Sequence, residues 1–155
     1  MKVVGINLSP NERMISGVCL IEGLNVSTFS PRTNEQIMEI ISRARPEVVA
    51  INVPSNLNEN KDEMEEFEIR FTRIKNNIER YSEIIKTNNE TVKSLLKVDE
   101  STDIFKKFNF RRMNIIRNQS EKDAILCALV ALFYKEGKYQ KLGDEKGGFI
   151  FIPLI

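Results

Sequence analysis

The sequence predicts an α/β domain. It has a mixed sheet, begun by a three-stranded antiparallel meander and extended by parallel strands, flanked by helices, with one long helix inserted. Three observations predict it. Residues 2–8 (KVVGINL) carry the apolar run VVGI, typical of a strand buried on both faces. A second apolar run, EVVAINVP at 47–54, directly follows a short amphipathic helix, so strand, helix and strand form a crossover unit whose strands pair in parallel. From Lys61 onward the apolar period is helical and unusually sustained.

The elements follow in order. Ser9-Pro10-Asn11-Glu12-Arg13 is rich in turn formers. Residues 14–22 (MISGVCLIE) give a second strand, Gly23 a turn, and residues near 25–29 a short third strand. Thr33 caps a helix, and Gln36 completes its capping box. That helix presents Ile37, Ile40, Ile41 and Ala44 on one face. Pro46 stops it, because the residue before proline avoids helical geometry. The fourth strand occupies 47–53.

Between Lys61 and Lys86, the residues Met64, Phe67, Phe71, Ile74, Ile78, Tyr81 and Ile85 recur at alternating spacings of 3 and 4. A helix over this span would be roughly 39 Å long, more than a small sheet is wide. Two readings stay open. The helix packs on its own domain, with a second helix near 90–97 (Val92, Leu95, Leu96) folding back, so that 61–97 is a helical insertion within a single domain of residues 1–155. Alternatively, the seven residues form a homodimer seam.

Residues 104–119 (IFKKFNFRRMNIIRNQ) hold Lys106, Lys107, Arg111, Arg112 and Arg117 and no acid, interleaved with Phe105, Phe108 and Phe110. Cations neutralise phosphates and rings stack on bases, so the stretch is a candidate nucleic-acid contact. The competing reading makes the rings core and the charges a solvated face. A weak strand fits near 112–116. The last helix starts at Ser120 and ends before Gly137, a left-handed terminator. Gly147-Gly148 then precede a final strand, FIFIP, and the main sheet is expected to have five strands.

Composition narrows the chemistry. With 155 residues, one domain with a sizeable core is expected. Lys and Arg total 23 against 22 for Asp and Glu, so nucleic acid or membrane would have to be met by a local patch. Cys19 and Cys127 each sit in an apolar run and read as core residues of a reducing compartment. Histidine is absent, which excludes Ser-His and Cys-His nucleophile pairs. MKVVGINLSP turns polar too early for a signal peptide, and no apolar run approaches the ~20 residues of a membrane span. A cytoplasmic location without membrane contact is expected.

Three polar residues fall at matching places: Asn7 and Asn52 at strand ends, and Asp123 at the start of the last helix. Adjacent parallel strand ends bring the first two together. Each has a plain structural reading as well. The asparagines can bond loop backbone, and Ser120 with Asp123 can form a capping box.

Three segments carry a family resemblance: MKVVGINLSPNER, RARPEVVAINVPSNL and SEKDAILCALVALFYKEGKYQKLGDEKGGFIFIP. Together, over about half the chain, they resemble a family of predicted nucleases of the RNase H-like superfamily, distantly similar to Holliday-junction resolvases. The C-terminal match, Asp123-Ala124 through Gly143-Asp144 to Ile152-Pro153, is the most specific. The resemblance implies metal-dependent phosphodiester cleavage with Mg²⁺ or Mn²⁺ held by three acids, and a DNA or RNA partner. Where the family has aspartates, this chain has Asn7 and Asn52. An amide oxygen can ligate a metal but brings no charge, so the resemblance implies a degenerate active site with Asp123 as its remaining metal ligand. Nothing in the spacing makes Glu22, Glu121 or Asp144 a substitute. A sugar-kinase or actin-like ATPase is excluded, because those need two copies of the fold and the chain has no phosphate loop of the GxxxxGK[ST] kind.

Overall fold

The computed structural model describes residues 1–54, 60–98, 103–146 and 148–154. Ser55-Asn56-Leu57 of the middle motif and Gly147 lie outside the described residues. The chain starts with β1 (Lys2–Asn7), β2 (Gly17–Glu22) and β3 (Asn25–Phe29), an antiparallel meander. Helix α1 (Asn34–Ala44) leads to β4 (Val48–Asn52), which pairs in parallel with β1. Then come α2 (Lys61–Ile78), β5 (Glu83–Thr87) and α3 (Asn89–Leu96). The short α4 (Ile104–Lys107) and β6 (Arg111–Arg112) precede α5 (Gln119–Lys135) and a hairpin of β7 (Tyr139–Asp144) and β8 (Gly148–Pro153). The main sheet has the order β5-β4-β1-β2-β3-β6, and β7-β8 form a second sheet.

Local chemistry explains much of this. Thr33 accepts from the Gln36 backbone while the Gln36 side chain returns to the cap, which is the predicted box. The alternating residues of β1 and β4 divide between two cores. Val4, Ile6, Val49 and Ile51 meet α1 and α2 on one face. Val3, Val48 and Ala50 join α5, α3 and the hairpin on the other.

The long helix is shorter than predicted. α2 ends at Ile78, and residues 83–87 form an edge strand parallel to β4. The period misled because β5 continues it by accident. Phe67, Phe71, Ile74 and Ile78 cover one face of the sheet, whereas Ile85 points into the core on the other. Those five residues are at most 5% exposed, and only Met64 and Tyr81, at 40% and 37%, stand open. Five of the seven residues therefore pack into this chain's own two cores.

The main sheet also gains a sixth strand, because Arg111 and Arg112 pair in parallel with Asn25 and Val26. FIFIP lies in the second sheet with β7, not in the main one. The second strand begins at Gly17, three residues later than the sequence suggested. Cys19 and Cys127 are buried free thiols. Among the described residues, no helix is long and apolar enough to cross a membrane.

Candidate functional site

Two glycines bring the last helix onto the strand ends. A Cβ at Gly5 would lie 2.1 Å from the Ala128 nitrogen and 2.3 Å from the Ala124 oxygen. One at Gly17 would lie 1.9 Å from the Ser120 oxygen. α5 therefore rests directly on β1 and β2, aided by the small Ala124, Ala128 and Ala131 along its buried face. Asp123 is the residue just before this contact, and so it arrives beside the end of β1.

Asn7 and Asn52 leave β1 and β4 on the α5 face. With Asp123 they line one cleft of about 330 Å³, together with Pro54, Asn88, Asn89, Glu90, Lys93 and Gln119. The fold thus gathers all three predicted positions. The two amides bond each other: Asn52 Nδ2 donates to Asn7 Oδ1 at 3.0 Å. Asn89, the first residue of α3, ties this pair to α5. Its backbone N–H donates to Asn52 Oδ1 at 3.0 Å, and its Nδ2 donates to the Asp123 carbonyl at 3.0 Å. Asn88 caps α3 through the Thr91 N–H and donates its Nδ2 to the Val53 carbonyl at 2.8 Å.

Asp123 does not form the predicted capping box. Asn118 caps α5 by accepting from the Glu121 N–H, and the Asp123 carboxylate instead accepts from Gln119 Nε2 at 2.9 Å. Burial pushes the Asp123 carboxyl above its ordinary value, opposed by the Gln119 bond and by the charges of Lys93 and Lys122. Cys127, beneath the cleft, donates to Asn89 Oδ1 at 3.3 Å. Burial and the Asp123 charge push its thiol well up, so it offers no thiolate ligand.

A pair of divalent ions needs several charged oxygens. Among the described residues, the cleft offers two carboxylates, Asp123 and the exposed Glu90. Among the described residues, no group of three or more His, Cys, Asp or Glu is placed to hold a metal. The donor set does not fit a two-metal centre. The other acids weighed from sequence lie elsewhere. Glu22 pairs with Lys2 at the far end of β1, Asp144 is on β7, and Glu121 is fully buried on the β3 side of α5.

Sequence reasoning missed Asn88, Asn89, Glu90, Lys93 and Gln119. The first four follow β5 at once. The β-branched run Ile84-Ile85 with Thr87, followed by Asn88-Asn89, was their signal, and the helical period hid it.

The basic stretch lies apart from the cleft. Arg111 pairs with Asn25, which faces Glu22, which faces Lys2, so it sits level with the beginning of β1. Three strands across and five residues along give a separation of about 22 Å from Asn7. Arg111, Arg112, Lys106 and Lys107 are exposed. Arg117 is bound to the buried Glu121 through Nε at 3.2 Å. The rings are not free platforms. Phe105, Phe108 and Phe110 pack on one another and against the α5-side core, Phe108 meets Phe133 edge-on at 5.6 Å, and Arg112 lies over Phe105 at 5.1 Å.

No protein-family model matches the chain, and no curated protein matches it in sequence. Solved structures do. RuvC of T. thermophilus in complex with a Holliday junction substrate superposes with a TM-score of 0.67 at 17% identity, covering 88% of this chain and 96% of that one. A second structure, of Thermus thermophilus RuvC, gives 0.64 at 15% identity, covering 88% and 97%. At these identities the likeness establishes the fold: the mixed sheet flanked by helices is the RNase H-like architecture of RuvC.

Proposed function

We propose that this chain is a catalytically degenerate relative of RNase H-like nucleases that binds nucleic acid without cutting it. The observation that carries the reading is the hydrogen bond between Asn52 and Asn7. Two carboxylates at that spacing would repel and call for a bridging cation, whereas two amides satisfy each other and need none. Asp123 alone would hold Mg²⁺ or Mn²⁺ weakly at best.

Nucleic acid as partner is supported by the fold shared with RuvC, whose structure holds a Holliday junction, and by the exposed cations Lys106, Lys107, Arg111 and Arg112. Arg117 adds less charge, because Glu121 holds it. With the neighbouring rings packed into the core, recognition runs through phosphates rather than through base stacking.

Fluorescence anisotropy of labelled single-stranded, duplex and four-way-junction DNA, and of an RNA duplex, tests this across a salt series. The reading expects binding whose log–log salt slope on duplex is about −3 to −4, from the four cations. Charge reversal at Arg111 and Arg112 is expected to weaken it at least tenfold. Absence of binding at low salt, or binding untouched by both reversals, would overturn it.

A further inference from the structure

Resting on that reading of the cleft, we infer that Lys93 is the cleft's built-in cation. Its ammonium supplies the positive charge that a divalent ion supplies in an acid-lined site, and it sets the cleft against metals even where acids are restored.

The placement follows from α3. This helix begins directly after β5, with Asn88 as its cap. Asn89 is fixed at both ends, to Asn52 and to the Asp123 backbone, so the rotation of α3 about its axis is set. Val92 and Leu96 turn into the core. Lys93, one turn after Asn89, stands on the same flank, half-buried at the wall of the cleft.

Charge decides the consequence. Among the described residues, the cleft wall carries the carboxylates of Asp123 and Glu90 and the ammonium of Lys93, while Lys122, next to Asp123 on α5, adds a second positive charge that acts on Asp123. Both α3 and α5 begin at the cleft, with Asn89 and Gln119 as their first residues, and so add positive partial charge at their N-termini. An entering divalent cation would meet Lys93, Lys122 and two helix N-termini, with the carboxylates of Asp123 and Glu90 to offset them among the described residues. Acids at positions 7 and 52 would restore ligands but would leave that opposing charge in place. The change from Asp to Asn and the presence of Lys93 therefore act together.

The test is Mn²⁺ binding followed by the EPR signal of the free ion, with folding checked by circular dichroism. It compares the wild type, Asn7→Asp/Asn52→Asp, the same pair with Lys93→Gln, and the same pair with Lys93→Arg. The expected result is weak binding by wild type, the pair and the Arg variant, and binding at least tenfold tighter once Lys93 is Gln. If the paired change fails to fold, Asn52→Asp alone, with and without Lys93→Gln, is read the same way. Equal affinity with and without the lysine, or no binding by the folded Lys93→Gln variant, would overturn the role of Lys93 and leave the degenerate reading standing. Tight Mn²⁺ binding by wild type would instead overturn the degenerate reading on which it rests.

Discussion

Asn52 on β4 donates its Nδ2 to Asn7 Oδ1 on β1 at 3.0 Å, while its own Oδ1 accepts from the backbone N–H of Asn89. The ends of two adjacent parallel strands and the start of α3 are thereby joined without any charge. Replacing both asparagines by aspartate puts two carboxylates where one hydrogen bond was. One of the two must then take a pKa above its unfolded value. A raised carboxyl pKa lowers stability at neutral pH and restores it as pH falls through that value. The double variant is expected to be about 1–3 kcal/mol less stable than wild type at pH 7 in metal-free buffer. The gap should narrow on acidification toward the ordinary carboxylate range. Urea midpoints measured across pH check this, and an equal gap at all pH values would contradict it.

Glu121 is a buried carboxylate that holds the end of the basic stretch. It accepts from Thr28 Oγ1 at 2.7 Å, from Ser30 Oγ, and from the Arg117 backbone at 3.0 Å, besides its ion pair. Burial raises its carboxyl pKa, but the hydroxyl and backbone bonds and the Arg117 charge outweigh this and leave it lowered. A lowered acid pKa contributes stability above the unfolded value near ~4.3, lost as pH falls through the folded one. Glu121→Ala is expected to cost about 3 kcal/mol at pH 7 and clearly less near pH 3. Thermal unfolding at the two pH values decides it.

Arg70 is 4% exposed, and its guanidinium binds the chain after β1. It donates to Ser9 Oγ at 2.6 Å, to the Ser9 and Asn11 carbonyls at 3.0 and 3.1 Å, and to Asn34 Oδ1 at 2.6 Å. A lysine cannot reproduce this planar fork. Arg70→Lys is expected to lose about 2–3 kcal/mol. It should also raise hydrogen exchange at residues 9–16. Unchanged exchange there would show that the fork is not what orders the turn.

Phe67 is 1% exposed and stacks near Phe71, with ring centroids 6.2 Å apart. If α2 closes on its own sheet, Phe67→Ala costs about 3–5 kcal/mol. That loss should be independent of protein concentration. Loss that grows on dilution would instead point to a seam shared between copies.

The sequence exposed the fold where one signal acted alone. The capping box of Thr33 and Gln36 appears as read, and the expected adjacency of the first and fourth strand ends holds for Asn7 and Asn52. The crossover is wider than expected, because β4 pairs with β1 and not with β3, the strand just before α1, whose neighbours are β2 and β6. Reading failed where two periods coincide. Ile85 satisfies the helical spacing of α2 and the alternation of a strand at once, and only the sheet's need for a further parallel partner selects the strand. Asn118 rather than Ser120 caps α5 because Gly17 seats the Ser120 backbone against β2, a tertiary contact that local sequence does not carry. β7 went unseen because YQKLGD is mostly polar and exposed, and it pairs only because FIFIP lies beside it.

The most direct measurement is cleavage of labelled single-stranded, duplex, hybrid and four-way-junction substrates in Mg²⁺ and in Mn²⁺. Wild type would run beside Asn7→Asp/Asn52→Asp and Asp123→Ala. Wild type is expected to leave every substrate intact in either metal. Cleavage by wild type that disappears in Asp123→Ala would contradict it, and would show that a site built on paired amides still performs the chemistry.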